Sequence, residues 1–243
     1  GDDLMVKDNF VWLKTLGGLE KVDVIMRRVD DVYCDPLELK EDSLLGVPGL
    51  LQAVGNGNVS IANPLGSSVV ENPGLIPFLP AIAQYFLNEP LKLPTIASWW
   101  CGQQQALNYV LDNLSSLVIK RIFRESDKRT SVDATQLDNV ALQELKARIK
   151  AQPALYVGQE KVDFSASPSW VNENLESSHA LFRGFAVSEN GGYTIMNGGL
   201  TRTSLDKENI IISNQLGGFS KDTWILSDEE NSVLQIKKDQ DHL

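Results

Sequence analysis

The chain has 243 residues, of which 42% are apolar and 22% charged, and its formal net charge is -10. This composition is typical of a globular protein with one large domain or two small ones. The acidic balance argues against a nucleic-acid backbone as partner, because proteins that bind one cluster Lys and Arg, whereas a nucleotide needs only a few well-placed cations.

The first ninety residues alternate between strand-like and helix-like segments. Strands are predicted over 10–16 and 21–28, and the turn signal GGLE separates them. Helices are predicted over 42–54 and 72–87, the second of which begins with Asn-Pro and carries a broad apolar face. Between the helices, residues 55–63 predict a turn and a short buried strand. This order predicts a small, mostly parallel α/β unit.

A proline-rich connection, NEPLKLPT, follows this unit, and we place a domain boundary between residues 93 and 94. The second part, 94–243, combines helices with many short strands, which predicts an antiparallel sheet flanked by helices in an α+β layout. SENGGY predicts a hairpin. The predicted elements are a helix (102–116), a strand (117–123), a polar loop (124–136), an amphipathic helix (139–152), and strands within 154–165, 179–188, 193–200, 209–213 and 223–227.

Neither a membrane nor an oxidising compartment is indicated. No apolar run reaches the roughly 18 residues of a membrane-spanning helix, and we expect no signal peptide. Cys34 and Cys101 are the only cysteines, so a disulfide framework is not predicted and we expect a reducing cytoplasm. The chain begins GDDLMV without an initiator Met, and we expect a piece of a longer protein.

The common catalytic motifs are incomplete in this sequence. His179 and His242 are the only histidines, which excludes a His/Cys zinc site, and His179 begins an apolar strand, where a structural role is favoured over catalysis. GNGNVS lacks the third glycine of a dinucleotide fingerprint, since Ser60 stands there. A P-loop is excluded because Lys221 is followed by Asp222.

Three cations interrupt apolar strands instead. Lys120 lies in LVIKRIF, Arg183 in ALFRGFAV, and Arg202 follows NGGLT. A lysine that points inward from an apolar strand needs an anion to offset its desolvation, and the three cations together fit a polyphosphate site. The alternative is that Lys120 faces solvent on an edge strand.

Two further runs are candidates for a ligand site. Gln159–Glu160, in YVGQEKV, could read an adenine edge, or they form an exposed kink. RRVDDVYCDPLEL places Arg27, Arg28 and several acids at the end of a strand, where open α/β sheets bind ligands and where paired acids could hold Mg²⁺. The alternative is a solvated loop whose charges neutralise one another.

SNQLGGFSKDTW, residues 213–224, is consistent with a hairpin turn or with a glycine-rich phosphate loop. In the second interpretation Gly217 and Gly218 let backbone amides approach the ligand, and Ser220 and Lys221 supply donors. Trp99–Trp100 could stack on a carbohydrate or peptide, although such a pair more often belongs to a core.

A series of motifs carries a family resemblance over nearly the whole chain. In order, they resemble the circularly permuted ATP-grasp type 2 family, relatives of the glutathionylspermidine synthetases, and look like the C-terminal half of such a protein. The resemblance implies a small Rossmann-like α/β unit (1–93) before an ATP-grasp region (94–243) whose α+β subdomains hold ATP. The motifs are DVIMRRVDDVYCDPLEL, LGVPGLLQAV, GNVSIANPLGSSVVENP, LPTIASWWCG, LVIKRIF, YVGQEKV, NGGLTRTS and GGFSKDTW.

The resemblance also implies an activity. The fold generally activates a carboxylate as an acyl phosphate, which an amine then attacks to give an amide. We therefore expect an ATP-dependent carboxylate–amine ligase with ATP and Mg²⁺ as cofactors, and with a small carboxylate and an amine or peptide as substrates. By motif, Lys120 would contact the phosphates, Gln159–Glu160 would lie at the adenine hinge, and Arg183 and Arg202 would stabilise the transferring phosphoryl group. Residues 27–31 would face the acceptor or phosphate pocket.

One part of the family pattern is missing. The family's Mg²⁺ ligands resemble an acid-x-Asn pattern upstream, beside a PSG run, and Glu71–Asn72 belongs to a different stretch. We therefore expect the metal ligands mainly outside this chain, in a missing N-terminal segment or another polypeptide, and we expect the chain alone to be inactive. The alternative function is a non-catalytic ATP-grasp-like binding module.

Overall fold

Five small sheets and four α-helices make up the described part of the chain. The computed structural model describes residues 2–123, 131–189, 192–206 and 218–226. The chain divides into two units, Gly1–Lys161 and Val162–Leu243. The boundary predicted between residues 93 and 94 lies inside the first unit and stays a prediction. The mixed α/β architecture expected from the sequence is confirmed.

An antiparallel meander opens the first unit. Strands β1 (Leu4–Lys7), β2 (Phe10–Thr15) and β3 (Gly18–Val22) pair in chain order, so the strand predicted over 10–16 is confirmed. Asp8 and Asn9, which join the first two strands, both have positive φ (55° and 63°), the geometry of a tight hairpin turn. Such short turns can only join antiparallel strands, so this part is not parallel as predicted.

A parallel pair follows the meander. Strand β4 (Val24–Met26) pairs with β5 (Ser60–Ala62), and helix α1 (Leu50–Gly55) lies between them in the chain. The parallel pairing predicted for this part is therefore confirmed for these two strands. The strand predicted over 21–28 is interrupted at Asp23 and contributes to two different sheets.

Both helices predicted in the first ninety residues are shorter than their apolar patterns. Helix α1 begins at Leu50 rather than near residue 42, because Gly49 has φ 81° and because Asp35 holds the helix start. The buried Asp35 carboxylate accepts hydrogen bonds from the amides of Gly49 (3.1 Å) and Leu51 (2.9 Å). Residues Pro73–Phe78 form a 3₁₀ helix, and helix α2 (Leu79–Leu87) follows.

The second sheet of the first unit has strand order β6-β9-β7-β8 and is antiparallel throughout. Its strands are β6 (Ser98–Trp100), β7 (Leu117–Arg121), β8 (Ser131–Asp133) and β9 (Tyr156–Glu160). The same part of the chain contains helices α3 (Gln104–Asp112) and α4 (Asn139–Ala151). They confirm the helices predicted over 102–116 and 139–152, and α3 is shorter than predicted. Strand β8 and a 3₁₀ turn occupy 131–136, which the sequence predicted to be loop.

One face of this sheet packs on the helices. The core combines Leu117, Ile119 and Tyr156 from the strands with Val110 from α3 and Ile149 from α4. Trp99 packs against the same core and its ring lies 4.3 Å from that of Tyr109. The ring of Trp100 meets Phe78 edge-to-face at 6.2 Å. These contacts support the interpretation of the tryptophan pair as packing residues.

The second unit contains a four-stranded antiparallel sheet of order β10-β11-β14-β15, as the sequence predicted. Its strands are β10 (Ser165–Val171), β11 (Asn174–Arg183), β14 (Gly199–Ser204) and β15 (Phe219–Thr223). A separate hairpin pairs β12 (Ala186–Glu189) with β13 (Gly192–Ile195), which confirms the SENGGY prediction. The strand predicted at 209–213 and Gly217 lie outside the described residues.

The cysteines and the membrane prediction can be compared with the structure. Cys34 and Cys101 are buried free thiols. In the part of the chain that the structure describes, no helix is both long enough and apolar enough to cross a membrane.

Candidate functional site

The sheet β6-β9-β7-β8 places several predicted site residues on one face. Residues directly opposite each other on neighbouring strands share a face, and each strand alternates between faces. Lys120 lies opposite Val157, and Gln159 lies opposite Val118 and Ser98. Lys120 and Gln159 are therefore diagonal neighbours on the face that we call the Lys120 face. The other face carries Ile119 and packs on the helices.

Lys120 is half-buried in a central strand. Strand β7 lies between β9 and β8, so the edge-strand alternative is wrong. Burial lowers the pKa of its ammonium group, since charge is disfavoured away from water. Among the described residues, none forms a hydrogen bond or ion pair with this ammonium group. An anion at this point would offset the desolvation.

A cleft of about 530 Å³ lies beside Lys120, within the size range of small-molecule sites. Lys120 and Ser131 line it from the sheet, and Arg27 and Asp31 line it from the segment that follows β4. The structure therefore brings together two of the cations that the sequence singled out separately. Further lining residues are Asp30, Ser67, Ser68, Glu71, Asn72 and Phe123.

Arg27 uses its whole guanidinium group inside the protein. Its side chain is only 11% exposed, and it makes four hydrogen bonds and one ion pair. The predicted contact of Arg27 with an acceptor substrate or a phosphate stays a prediction. In this structure the guanidinium group binds protein atoms instead. The acceptors are the carbonyl oxygens of Val29 (2.7 Å), Asn63 (2.8 Å) and Pro64 (3.1 Å), the Ser67 hydroxyl (2.8 Å) and the Asp31 carboxylate.

Asp31 completes this clamp on the cleft wall. Its Oδ2 accepts hydrogen bonds from the amides of Gly66 and Ser68, both at 3.0 Å. Burial alone would raise the pKa of this carboxyl, but the hydrogen bonds of Ser68, the charge of Arg27 and the amide of Gly66 outweigh it and lower the pKa. Arg27 and Asp31 thus fix the segment 63–68. Arg28 is exposed and does not line the cleft.

The side chains of Gln159 and Glu160 point to different faces. Gln159 is buried and its Nε2 donates to the Ser98 hydroxyl at 3.0 Å. Glu160 lies opposite Leu117 on the helix-packed side, where its side chain is exposed, and its amide donates to Ala97 O at 2.9 Å. The amide of the Gln159 side chain is therefore engaged within the protein, and the adenine contact predicted for Gln159–Glu160 stays a prediction.

A charged network that the sequence did not predict lies beside this strand end. Lys161 Nζ contacts Asp133 Oδ2 and Thr135 Oγ1, each at 2.9 Å. Asp133 Oδ1 accepts from the amide (3.0 Å) and the hydroxyl (2.7 Å) of Thr135. Burial alone would raise the pKa of the Asp133 carboxyl, but its hydrogen bonds to Thr135 and Lys161 lower it. No local sequence signal announces contacts between residues so far apart in the chain.

In the second unit, Arg183 and Arg202 lie on the same face of the sheet β10-β11-β14-β15. Arg202 pairs with Leu181, and Arg183 pairs with Leu200, so the two arginines are diagonal neighbours at roughly 7–8 Å. Within the described residues no carboxylate pairs with either arginine, and Arg202 Nε is buried without a hydrogen-bond partner. Asp222, which pairs with Leu200, lies on the same face as the two arginines and forms no ion pair with either of them among the described residues.

Lys221 lies on the opposite face of this sheet. It pairs with Thr201, and its Nζ donates to Ser167 Oγ (2.8 Å) and Pro168 O (2.5 Å). Ser220 pairs with Arg202 and shares the arginine face. Both residues belong to β15 rather than to a glycine-rich loop, because the segment from Phe219 extends β14 in register. Gly218 directly precedes this strand, and its role stays a prediction.

Among the described residues, no catalytic arrangement is found around His179. It lies in the middle of β11, its ring contacts that of Phe164 at 5.6 Å, and its Nδ1 is buried without a hydrogen-bond partner. In the described ranges, no three His, Cys, Asp or Glu side chains cluster so that they could hold a metal ion. The position of the ligands for the Mg²⁺ that the resemblance implies therefore stays a prediction, since Mg²⁺ beside a nucleotide needs only one or two carboxylates.

Comparison with known proteins gives the family. The chain matches the model of the circularly permuted ATP-grasp type 2 family over residues 1–204. The uncharacterized protein Rv2567 of Mycobacterium tuberculosis is 42% identical over 198 residues, which cover 82% of this chain and 22% of that protein. The uncharacterized protein sll0335 of Synechocystis is 32% identical over 226 residues (93% and 47%), and Rv2411c of M. tuberculosis is 31% identical over 235 residues (97% and 42%).

The chain spans about a fifth to about a half of the length of these relatives. The matched region contains Lys120, Gln159, Arg183 and Arg202, whereas Lys221 lies beyond it. The family predicted from the motifs is confirmed: the chain belongs to the circularly permuted ATP-grasp type 2 family.

Proposed function

We propose that this chain is the nucleotide-holding part of an ATP-dependent carboxylate–amine ligase. ATP-grasp proteins generally bind ATP and Mg²⁺, and membership of the family suggests ATP-dependent ligase activity. The observation that carries the proposal is Lys120, a half-buried lysine in a central strand beside a cleft, with no anionic partner among the described residues. A triphosphate supplies the negative charge that this ammonium group lacks.

The reaction proposed for the whole protein has two steps. A carboxylate oxygen of the first substrate attacks the γ-phosphorus of ATP, the bond to ADP breaks, and an acyl phosphate forms. The amine nitrogen of the second substrate then attacks the acyl carbon, phosphate leaves with its electron pair, and the nitrogen loses a proton to give an amide. Lys120 binds the phosphates in the first step, and Arg202 and Arg183 offset charge on the transferring phosphoryl group.

Two features of the described residues support these roles. The arginine face of the second unit carries two arginines and one acid, Asp222, in a chain whose net charge is -10. The Arg27–Asp31 clamp fixes Ser67 and Ser68, which line the cleft beside Lys120. Arg27 therefore acts as a positioning residue for this segment.

The proposal is tested by replacing Lys120. We expect Lys120→Met to lose most of the ATP affinity of the unchanged chain, measured by isothermal titration calorimetry, because the ammonium group is gone while the apolar stem still packs. The same variant should fold at least as stably, since a desolvated charge has been removed. Lys150→Met, on the exposed side of α4, is the matched control and should bind ATP normally. Unchanged ATP binding by the Lys120 variant would refute the assignment.

A second function is favoured by one observation, the lack of a metal-ligand cluster among the described residues. On this alternative the chain is a non-catalytic ATP-grasp-like module that binds a nucleotide or a partner without turnover. The relatives are longer than this chain, and the additional polypeptide they contain is the proposed source of metal ligands. Release of phosphate from ATP by a whole relative, with carboxylates and amines supplied, would favour the ligase over the module.

A further inference from the structure

The parallel pair β4–β5 has one covered face and one bare face. Ile25 and Ile61, which lie opposite each other, pack against the core to which α1 contributes. On the other face, Val24 and Met26 are 65% and 79% exposed, and the residues opposite them on β5 are exposed as well. Parallel sheets occur almost only with both faces covered, so this pair lacks a layer over its second face.

The outer edge of β4 presents backbone hydrogen-bonding groups. The carbonyl of Asp23 accepts a hydrogen bond from β5 at 2.9 Å, and the amide of Arg27 donates one to β5 at 3.1 Å. Because alternate residues of a strand direct their amides and carbonyls to opposite sides, those of Val24 and Met26 point away from β5. In the described ranges, no strand pairs with β4 on that side.

This edge also lacks the features that usually keep other strands away. Natural edge strands are protected by charged side chains, by proline or by a bulge, whereas Val24 and Met26 are apolar and follow each other in a regular strand. An apolar edge with free amides and carbonyls fits a further β-strand, which gains main-chain hydrogen bonds there. The bare face beside it fits an apolar helix.

The longer relatives contain polypeptide that could supply both elements. The match covers 47% of the Synechocystis protein and 42% of Rv2411c, so more than half of each lies outside it. A strand that reaches the sheet through a helical crossover lies parallel to its neighbour. This is the pairing that β4 and β5 already have, with α1 between them in the chain.

We propose that the outer edge of β4, together with Val24 and Met26, is the docking surface for a strand–helix segment of the polypeptide that lies outside the match. The strand pairs parallel to β4: the amides of Val24 and Met26 donate to it and their carbonyls accept from it. The helix covers the two apolar side chains. This inference does not rest on the proposed nucleotide binding, and its test uses no nucleotide.

The test compares amide hydrogen exchange, resolved to single residues, in this chain and in the whole Synechocystis protein. In this chain we expect the amides of Val24 and Met26 to exchange freely, while that of Ile25, which faces β5, is protected and serves as the internal control. In the whole protein we expect the positions matching Val24 and Met26 to exchange about a hundredfold more slowly than in this chain.

Free exchange at these two positions in the whole protein would overturn the proposal. Protection in this chain alone that increases with its concentration would identify a second copy as the occupant and would overturn the assignment to the additional polypeptide.

A substitution gives an independent readout. We expect Val24→Lys to leave the melting temperature of this chain unchanged and the matching substitution to lower that of the whole Synechocystis protein by about 4 °C or more, because a charge is then buried under the helix. Val187→Lys is the matched control, since Val187 is a strand valine with the same exposure, 66%. An unchanged melting temperature of the whole protein after the substitution matching Val24 would contradict the covered face.

Discussion

At the scale of single residues, Arg27 shows how a side chain can line a cleft and still be structural. Its guanidinium group donates four hydrogen bonds and forms an ion pair with Asp31, and the two side chains are equally buried, at 11% exposure each. Lysine has three donors on one nitrogen and cannot reproduce this arrangement. We therefore expect Arg27→Lys to lower the free energy of unfolding by about 2 kcal/mol, measured by urea denaturation.

Arg28→Lys is the control for this prediction, because Arg28 is the exposed neighbour and its replacement should change stability by less than about 0.5 kcal/mol. The pH dependence gives a second check. The pKa of Asp31 is lowered in the folded chain from an ordinary value of 3.8, so its contribution is complete above that value and is lost as the pH falls through the lower folded pKa. The difference in stability between the unchanged chain and the Arg27→Lys variant should shrink in that acidic window, and a difference independent of pH would contradict the ion-pair account.

At the scale of elements, the alternation of side chains along a strand decides which cations can act together. Arg202 and Lys221 lie on neighbouring strands but on opposite faces, and only Lys221 is held by contacts within the sheet. We expect Arg202→Gln to weaken ATP binding about tenfold, because a guanidinium group without an acid partner is removed from the ligand. Lys221→Gln should keep its ATP affinity and lower the melting temperature. If Lys221→Gln weakened ATP binding and Arg202→Gln did not, the phosphate contact would be assigned to Lys221, as in the loop interpretation of GGFSKDTW.

The helices and strands also show how accurately their bounds could be predicted from the sequence. Strong periodicity predicted α4, β2 and β7 with nearly correct bounds. The start of α1 was predicted too early because the pattern of leucines continues upstream, while the helix is set by Gly49 and by a carboxylate fourteen residues before it. Contacts that depend on long-range partners, such as Asp133 with Lys161, have no local pattern to predict them.

At the scale of the whole molecule, the order of motifs predicted the family, and the match over residues 1–204 confirmed it. The sequence could also predict Lys120, because a lysine inside an apolar strand is conspicuous without any structure. The sequence could not distinguish a cation that faces a cleft from a cation whose donors are bonded to other protein groups. Arg27 and Lys221 differ from Lys120 in their partners, and partners are a property of the assembled sheets.

For the whole chain, ATP binding can be distinguished from Mg²⁺ binding. The described residues carry unpaired cations but no cluster that could hold a metal ion, so their attraction is for the phosphates themselves. Free ATP carries more negative charge than its Mg²⁺ complex. We therefore expect removal of Mg²⁺ with EDTA to leave the ATP affinity of this chain unchanged within about twofold or to raise it, as measured by calorimetry.

A whole relative such as the Synechocystis protein, of which this chain covers 47%, is the comparison for that measurement. If the additional polypeptide supplies metal ligands, its ATP affinity should fall when Mg²⁺ is removed, because the phosphates then lose an ion that the protein also holds. A fall of the same size in this chain alone would contradict the account, since it would require a metal site within these 243 residues. Opposite responses of the two proteins to EDTA would separate the part that grips the phosphates from the part that completes the reaction.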